Sequence, residues 1–198
     1  MRRIAIPFLL VCISISVAVS AHAQVDESAT ARGFTLTAGG FASGFDPDNN
    51  ANRVLYFNPN GNIGTNHLFG PGVYVDAHFT HWFQLEAEAR WLRFNQFAGE
   101  HQDNYLIGPK VPIYRFGRAN LYGKAMIGVG KVTLPNNAQL TGEGTLLQFA
   151  YGGGIDYKLS RKLSLRAIDF EFQQWPYFLP TNALYPYGIS VGFGYKVF

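Results

Sequence analysis

Residues 83–91 read Phe-Gln-Leu-Glu-Ala-Glu-Ala-Arg-Trp, and their phase decides the architecture. Phe83, Leu85, Ala87, Ala89 and Trp91 share one side of an extended chain, while Gln84, Glu86, Glu88 and Arg90 share the other. Leu, Ala, Glu and Arg are good helix formers. At about 100° per residue, however, a helix would scatter these carboxylates and apolar groups around its axis. Only a strand keeps them apart.

The same alternation extends in both directions from this segment. Toward the amino terminus, residues 33–43 form a first strand and 69–79 a second. In the second, Val73, Val75, Ala77 and Phe79 lie opposite Gly72, Tyr74, Asp76 and His78. Toward the carboxyl terminus, residues 104–114 place Tyr105, Ile107, Val111 and Ile113 on one face. Pro109 and Pro112 should weaken that strand, since proline donates nothing to a ladder. Residues 120–132 and 145–158 alternate again. Residues 162–175 begin with Leu163, Leu165 and Ala167 on the apolar face and continue with Phe170 and Phe172. That change of phase predicts a bulge near Ala167-Ile168, because one extra residue moves every later side chain across the sheet. Residues 184–198 form the eighth segment.

An Asn/Gly-rich stretch at 44–66 and the stretch at 133–144 read as loops, with a short loop at 98–104. Short turns fall at 80–82, 115–119 and 159–161. No helical interlude provides a parallel crossover. The fold class is all-β, an eight-stranded antiparallel up-and-down barrel.

The amino terminus carries Arg2 and Arg3, an apolar run over residues 4–19, and Ala21-His22-Ala23. This is the pattern of a cleavable secretory signal over residues 1–23. Val11 before Cys12, inside the apolar run, argues against a lipoprotein. Residues 24–32 read as a short polar lead-in and 33–198 as one barrel domain. After the signal, no run approaches the ~18 apolar residues a membrane helix requires.

Removing Arg2 and Arg3 takes the 16 basic residues to 14 against 13 acidic, so the formal charge of +3 falls to +1. No basic run survives to suggest nucleic acid. The only cysteine, Cys12, leaves with the signal, so neither a disulfide nor a thiolate metal site is expected. Gly 22, Tyr 11, Phe 17 and Trp 3 suit strands that pack closely between aromatic girdles.

A soluble barrel turns its apolar face inward, whereas a membrane barrel inverts that order. Here the polar face carries glycines and a mixed-sign set able to neutralise itself in a narrow interior: Glu86, Glu88, Arg90, Lys124, Asp156, Arg166, Asp169 and Glu171. The opposite face is almost free of charge. Trp82 and Trp91 are nine steps apart, which at ~3.3 Å per residue and ~40° tilt is roughly 23 Å along the normal, close to the apolar band. The chain therefore reads as a transmembrane barrel, with tight turns on the periplasmic side and long loops outside.

Together these features resemble the small eight-stranded outer-membrane barrels related to the OmpA barrel and the OmpX and OmpW types. The residues that carry the resemblance are the signal, the alternation over 33–198, the stretch YGGGIDYKLSRKLSLRA at 151–167, and the terminal aromatic. No peptidoglycan-binding domain is expected to follow. The resemblance implies assembly by the barrel-assembly machinery with periplasmic chaperones, contact with outer-membrane lipid and lipopolysaccharide, and residence in the outer membrane. The family's assembly signal places aromatics at the last and third-from-last positions. Here Phe198 is last, Lys196 is third from last, and Tyr195 is one step out of phase, so Phe198 should face inward or splay at the interface.

The candidate site is a lumen ion-pair network of Glu86, Glu88, Arg90, Lys124, Arg166, Asp169 and Glu171. In OmpA-like barrels such networks are proposed to gate or plug the lumen. Eight strands leave room only for side chains to fill, so no wide pore is expected. Glutamates on this face could instead form an acid/base pair, but unpaired buried charge is costly and favours the ion pairs.

Asp76, His78 and His81 carry metal-ligating groups, yet residues three apart on a strand face opposite sides, so an interfacial histidine pair is expected. Asp46, Asp48, Asn49 and Asn50 lack the final Glu of a calcium loop. Ser43, His67 and His101 show no convergent spacing for a lipid-modifying enzyme. The expectation is a monomeric barrel without cofactor or enzyme activity, with a structural or surface-interaction role. The alternative is a lipid-modifying barrel or a narrow transporter of small hydrophobic molecules.

Overall fold

The computed structural model describes residues 34–48, 67–80, 82–94, 101–133, 144–176 and 183–198. The signal and the polar lead-in lie outside the described residues, as does His81. Eight strands occur in order: β1 (Thr35–Asp46), β2 (Leu68–His78), β3 (Gln84–Leu92), β4 (His101–Phe116), β5 (Ala119–Thr133), β6 (Gly144–Lys158), β7 (Leu163–Gln174) and β8 (Tyr187–Lys196). Each pairs antiparallel with its sequence neighbour, and β8 returns to β1 to close the barrel. Among the described residues no helix is long and apolar enough to cross a membrane.

Burial alternates as the sequence pattern demands. In β3, Gln84, Glu86, Glu88, Arg90 and Leu92 are buried while their neighbours are half-exposed. The exposed phase carries Val73, Val75, Ile107, Ile127, Val129, Phe170, Ile189 and Phe193. A continuous apolar exterior around a charged interior is the arrangement lipid requires and water penalises.

The bulge predicted on the seventh strand is present. Ile155 pairs with Ile168 and Asp156 with Arg166, leaving Ala167 as the extra residue. Ala167 and Ile168 are both exposed in succession, and Asp169 and Glu171 then return to the interior.

The expected weakness of the fourth strand is not seen. β4 is continuous over 16 residues and starts at His101, inside the stretch whose polarity suggested a loop. Pro109 opposes Leu85, and Pro112 opposes Tyr122 at a second register shift, just before Tyr114 pairs with Leu121. Each proline removes a single donor, and at Pro112 the bulge already interrupts the ladder. The inserted Ile113 also has a use. It puts Tyr114 and Phe116 outside, with rings 4.3 Å apart, and leaves Arg115 opposite Asn120 on the inner phase.

Among the described residues the tightest connection is that between β4 and β5, made by Gly117 and Arg118. Gly117 has φ +56°, a conformation a side chain would strain. At the carboxyl terminus the Val197 and Phe198 amides both donate to the Leu36 carbonyl, at 2.7 and 3.5 Å. Two donors on one acceptor mark a slip of the ladder. Phe198 is 52% exposed and Tyr195 50% exposed, so the terminal ring splays outward.

Candidate functional site: the barrel lumen

Every residue of the sequence-derived network is buried inside the barrel: Glu86, Glu88, Arg90, Lys124, Arg166, Asp169 and Glu171. Strand alternation delivers them there from β3, β5 and β7. Glu86 is the hub. Its Oε2 receives Arg166 Nη2 at 2.6 Å and Lys110 Nζ at 3.1 Å, and its Oε1 receives Lys124 Nζ at 3.4 Å.

Lys124 Nζ lies 2.8 Å from Asp169, 3.0 Å from Glu88 and 3.0 Å from Glu171. Arg90 donates to Glu171 and Glu88, each at 2.9 Å, and its Nε donates to Ser43 Oγ at 3.1 Å. Arg166 also reaches Asp76, Asp156 and Asp169 at 3.4 Å. Charge-assisted bonds of this density hold side chains in fixed geometry.

The network is larger than the sequence-derived set. Lys110 bonds Asp156 at 2.8 Å and Asp76 at 2.9 Å. Lys110 lies opposite Tyr105, Ile107 and Val111 in phase, a signal available in the sequence but overshadowed by the flanking prolines. Asp76, a metal candidate beside His78 and His81 by spacing, serves Lys110 and Arg166 instead. Aromatic rings complete the packing, a role that alternation alone does not announce. Arg166 lies 3.7 Å over the Tyr74 ring, Lys110 4.0 Å over Tyr122, and Arg90 4.4 Å over Phe45.

Glycines make space for these rings. A Cβ on Gly194 would collide with the Tyr74 hydroxyl, and one on Gly130 with the Trp175 ring.

Nearer the long loops the lumen changes chemistry. Gln102 donates to Asn104 and Gln173, both at 2.9 Å; Gln173 donates to Glu171 at 2.7 Å and accepts from Trp175 Nε1 at 3.1 Å. Phe45, Leu68 and Leu92 form a buried apolar cluster at the same end.

Glu86, Glu88 and Asp169 bring oxygens within 4.8 Å of one another, a spacing that could hold a metal ion. The Lys124 ammonium already stands among them. Ser43 is buried in the lumen, with its Oγ 2.8 Å from Ser190 Oγ. Asp46 accepts from the Asp48 amide at 2.9 Å and the Tyr187 hydroxyl at 3.3 Å. Asp48 accepts from the Tyr185 amide at 3.0 Å, so both carboxylates tie the start of the loop to the β8 side. His67 and His101 lie at strand ends by the loops; Asn49 and Asn50 lie outside the described residues.

The family model for the outer membrane protein beta-barrel domain matches residues 9–196. The chain belongs to this family. The barrel is similar to neisserial surface protein A, with a TM-score of 0.55 and 11% identity over 82% of this chain and 96% of that one. The N-terminal barrel domain of Pseudomonas aeruginosa OprF aligns with a TM-score of 0.49 and 12% identity, over 80% and 96% of the two chains. Pseudomonas aeruginosa OprG aligns with a TM-score of 0.43 and 15% identity, over 83% and 95%. No curated protein sequence matches the chain. As a member of the family, the barrel is an outer-membrane protein.

Proposed function

We propose that this barrel is a sealed outer-membrane anchor whose long loops carry a structural or surface-interaction role. One observation supports this reading above the others. Four lumen cations, Arg90, Lys110, Lys124 and Arg166, each bond two or more carboxylates, and the amide and apolar groups of Gln102, Gln173, Trp175 and Leu92 close the loop end behind them. A solute would have to break several charge-assisted bonds at once to pass.

In this reading residues 1–23 direct export and are cleaved, the tight turns face the periplasm, and the loops face outward among lipopolysaccharide. Tyr195 and Phe198 present the terminal aromatics to the assembly machinery. The barrel acts as a monomer without cofactor.

The test is conductance in planar bilayers, beside gel mobility of boiled and unboiled membrane fractions. The expected result is a heat-modifiable outer-membrane band and no sustained channel. A stable open level in the unmodified protein would overturn the sealed-lumen reading, and recovery in the soluble periplasm would overturn the location of the mature chain.

A further inference from the structure

The turn end of the barrel holds a cavity of about 800 Å³ that the sealed lumen does not use. Its wall carries Arg115, Arg118, Lys158, Arg161, Lys162 and Lys196. Register puts three of these on the inner phase: Arg115 opposite Asn120, Lys158 opposite Ser164, and Lys196 opposite Thr37. All three polar partners line the cavity as well. Arg118 comes from the β4–β5 turn, and Arg161 and Lys162 from the β6–β7 turn.

None of the six makes an ion pair with a described residue; Lys162 lies 5.9 Å over the Tyr195 ring. The cavity's acids, Asp76 and Asp156, sit on its floor and are bonded to Lys110 and Arg166. At the opposite end Arg93 is paired with Asp103, and Asp46 and Asp48 add negative charge. Among the described residues, most of the positive charge without an ion pair therefore gathers at this mouth, with Lys131 the exception near the loops, and low-dielectric walls focus its field.

We propose that this mouth is a binding site for a polyanion carrying several phosphate groups. Guanidinium forks and lysine ammonium groups together suit phosphate oxygens. The floor carboxylates repel an anion that enters deeper, so the ligand must spread around the rim, where several charges are met at once. That geometry favours linked phosphates over a single one. The phosphates could belong to a soluble polyphosphate or to headgroups of anionic lipid at the adjacent leaflet. The site stands apart from the sealed lumen and binds its ligand whether or not the lumen conducts.

The test uses the folded protein in nanodiscs of phosphatidylcholine, titrated calorimetrically with inorganic tripolyphosphate. Saturable binding is expected, weakening steeply with added salt. Combined Arg115→Gln, Lys158→Gln and Lys196→Gln should weaken it by about tenfold or more, since all three inward charges of the rim are lost. Arg93→Gln should bind as the unmodified protein does. Heat-modifiable gel mobility checks that the triple variant is folded, and Lys196→Gln alone, at a strand end, serves if it is not. In discs containing phosphatidylglycerol, weaker tripolyphosphate binding assigns the site to lipid headgroups, and undiminished binding assigns it to a soluble anion. No saturable binding, or equal binding by the folded variant and the unmodified protein, overturns the proposal.

Discussion

In the half of the lumen nearer the turns, Arg166, Lys110 and Lys124 share the oxygens of Asp76, Glu86, Glu88, Asp156 and Asp169. In the half nearer the loops, Gln102, Asn104, Gln173 and Trp175 exchange neutral hydrogen bonds beside Phe45, Leu68 and Leu92. Both halves fill the interior of one barrel, but they differ in the cost of losing a partner. A neutral amide left unpaired costs one desolvated group; an ion left unpaired in a closed barrel keeps its full charge away from water. The charged half should therefore respond sharply to single changes and the amide half mildly.

The largest effect is expected for Arg166→Ala, which strands Glu86, Asp76 and Asp169 with fewer cations and should cost about 3–5 kcal/mol. Urea unfolding in phospholipid vesicles would read this as a lower midpoint, and planar bilayers should show more frequent small conductance events. Next is Gln173→Ala, which unpairs donors on Gln102 and Trp175, takes one bond from the Glu171 carboxylate, and should cost about 1–3 kcal/mol by the same unfolding measurement. If it matched Arg166→Ala, the distinction between the halves would fail.

Trp175→Phe sharpens the comparison within the amide half. It removes one N–H donor and also shrinks a fully buried ring, so it should cost about 2 kcal/mol, alongside a change in tryptophan fluorescence. The smallest effect is expected for Arg93→Ala outside the lumen. Its side chain is 53% exposed, and a surface pair of this kind is worth at most about 0.5–1 kcal/mol. A midpoint shift as large as that of Gln173→Ala would show the loop-end pair to be structural.

Period-two geometry governs how much of this was legible in the sequence. β3 could be read residue by residue because its alternation is unbroken, and the β7 bulge because two consecutive residues, Ala167 and Ile168, fell on the apolar side of a phase change. The bulge in β4 left no such mark. Ile113, Tyr114 and Phe116 are all apolar enough for the outer face, and the prolines suggested a weak strand instead. Within the lumen, the charged residues announced themselves by their phase. The rings of Tyr74 and Tyr122 share that phase, but alternation does not show that they pack under Arg166 and Lys110. Nor does any local pattern say which cation meets which carboxylate. That depends on the curvature of the closed sheet.

The return of β8 to β1 sets the order in which this molecule can be built. Seven of the eight pairings join strands adjacent in sequence, whereas Thr37 must find Lys196, and Ser43 must find Ser190, across nearly the whole chain. Loop closure on that scale is slow. Arg166 and Glu86, and Arg90 and Glu171, likewise come from strands four apart around the wall and meet only when the sheet curls. Until then their charges stay hydrated. The open sheet therefore carries solvated ions on one face, which keeps it from collapsing inward on the wrong partners. Curling exchanges that hydration for mutual pairing late, so the seam and the ion network are expected to form in one cooperative step.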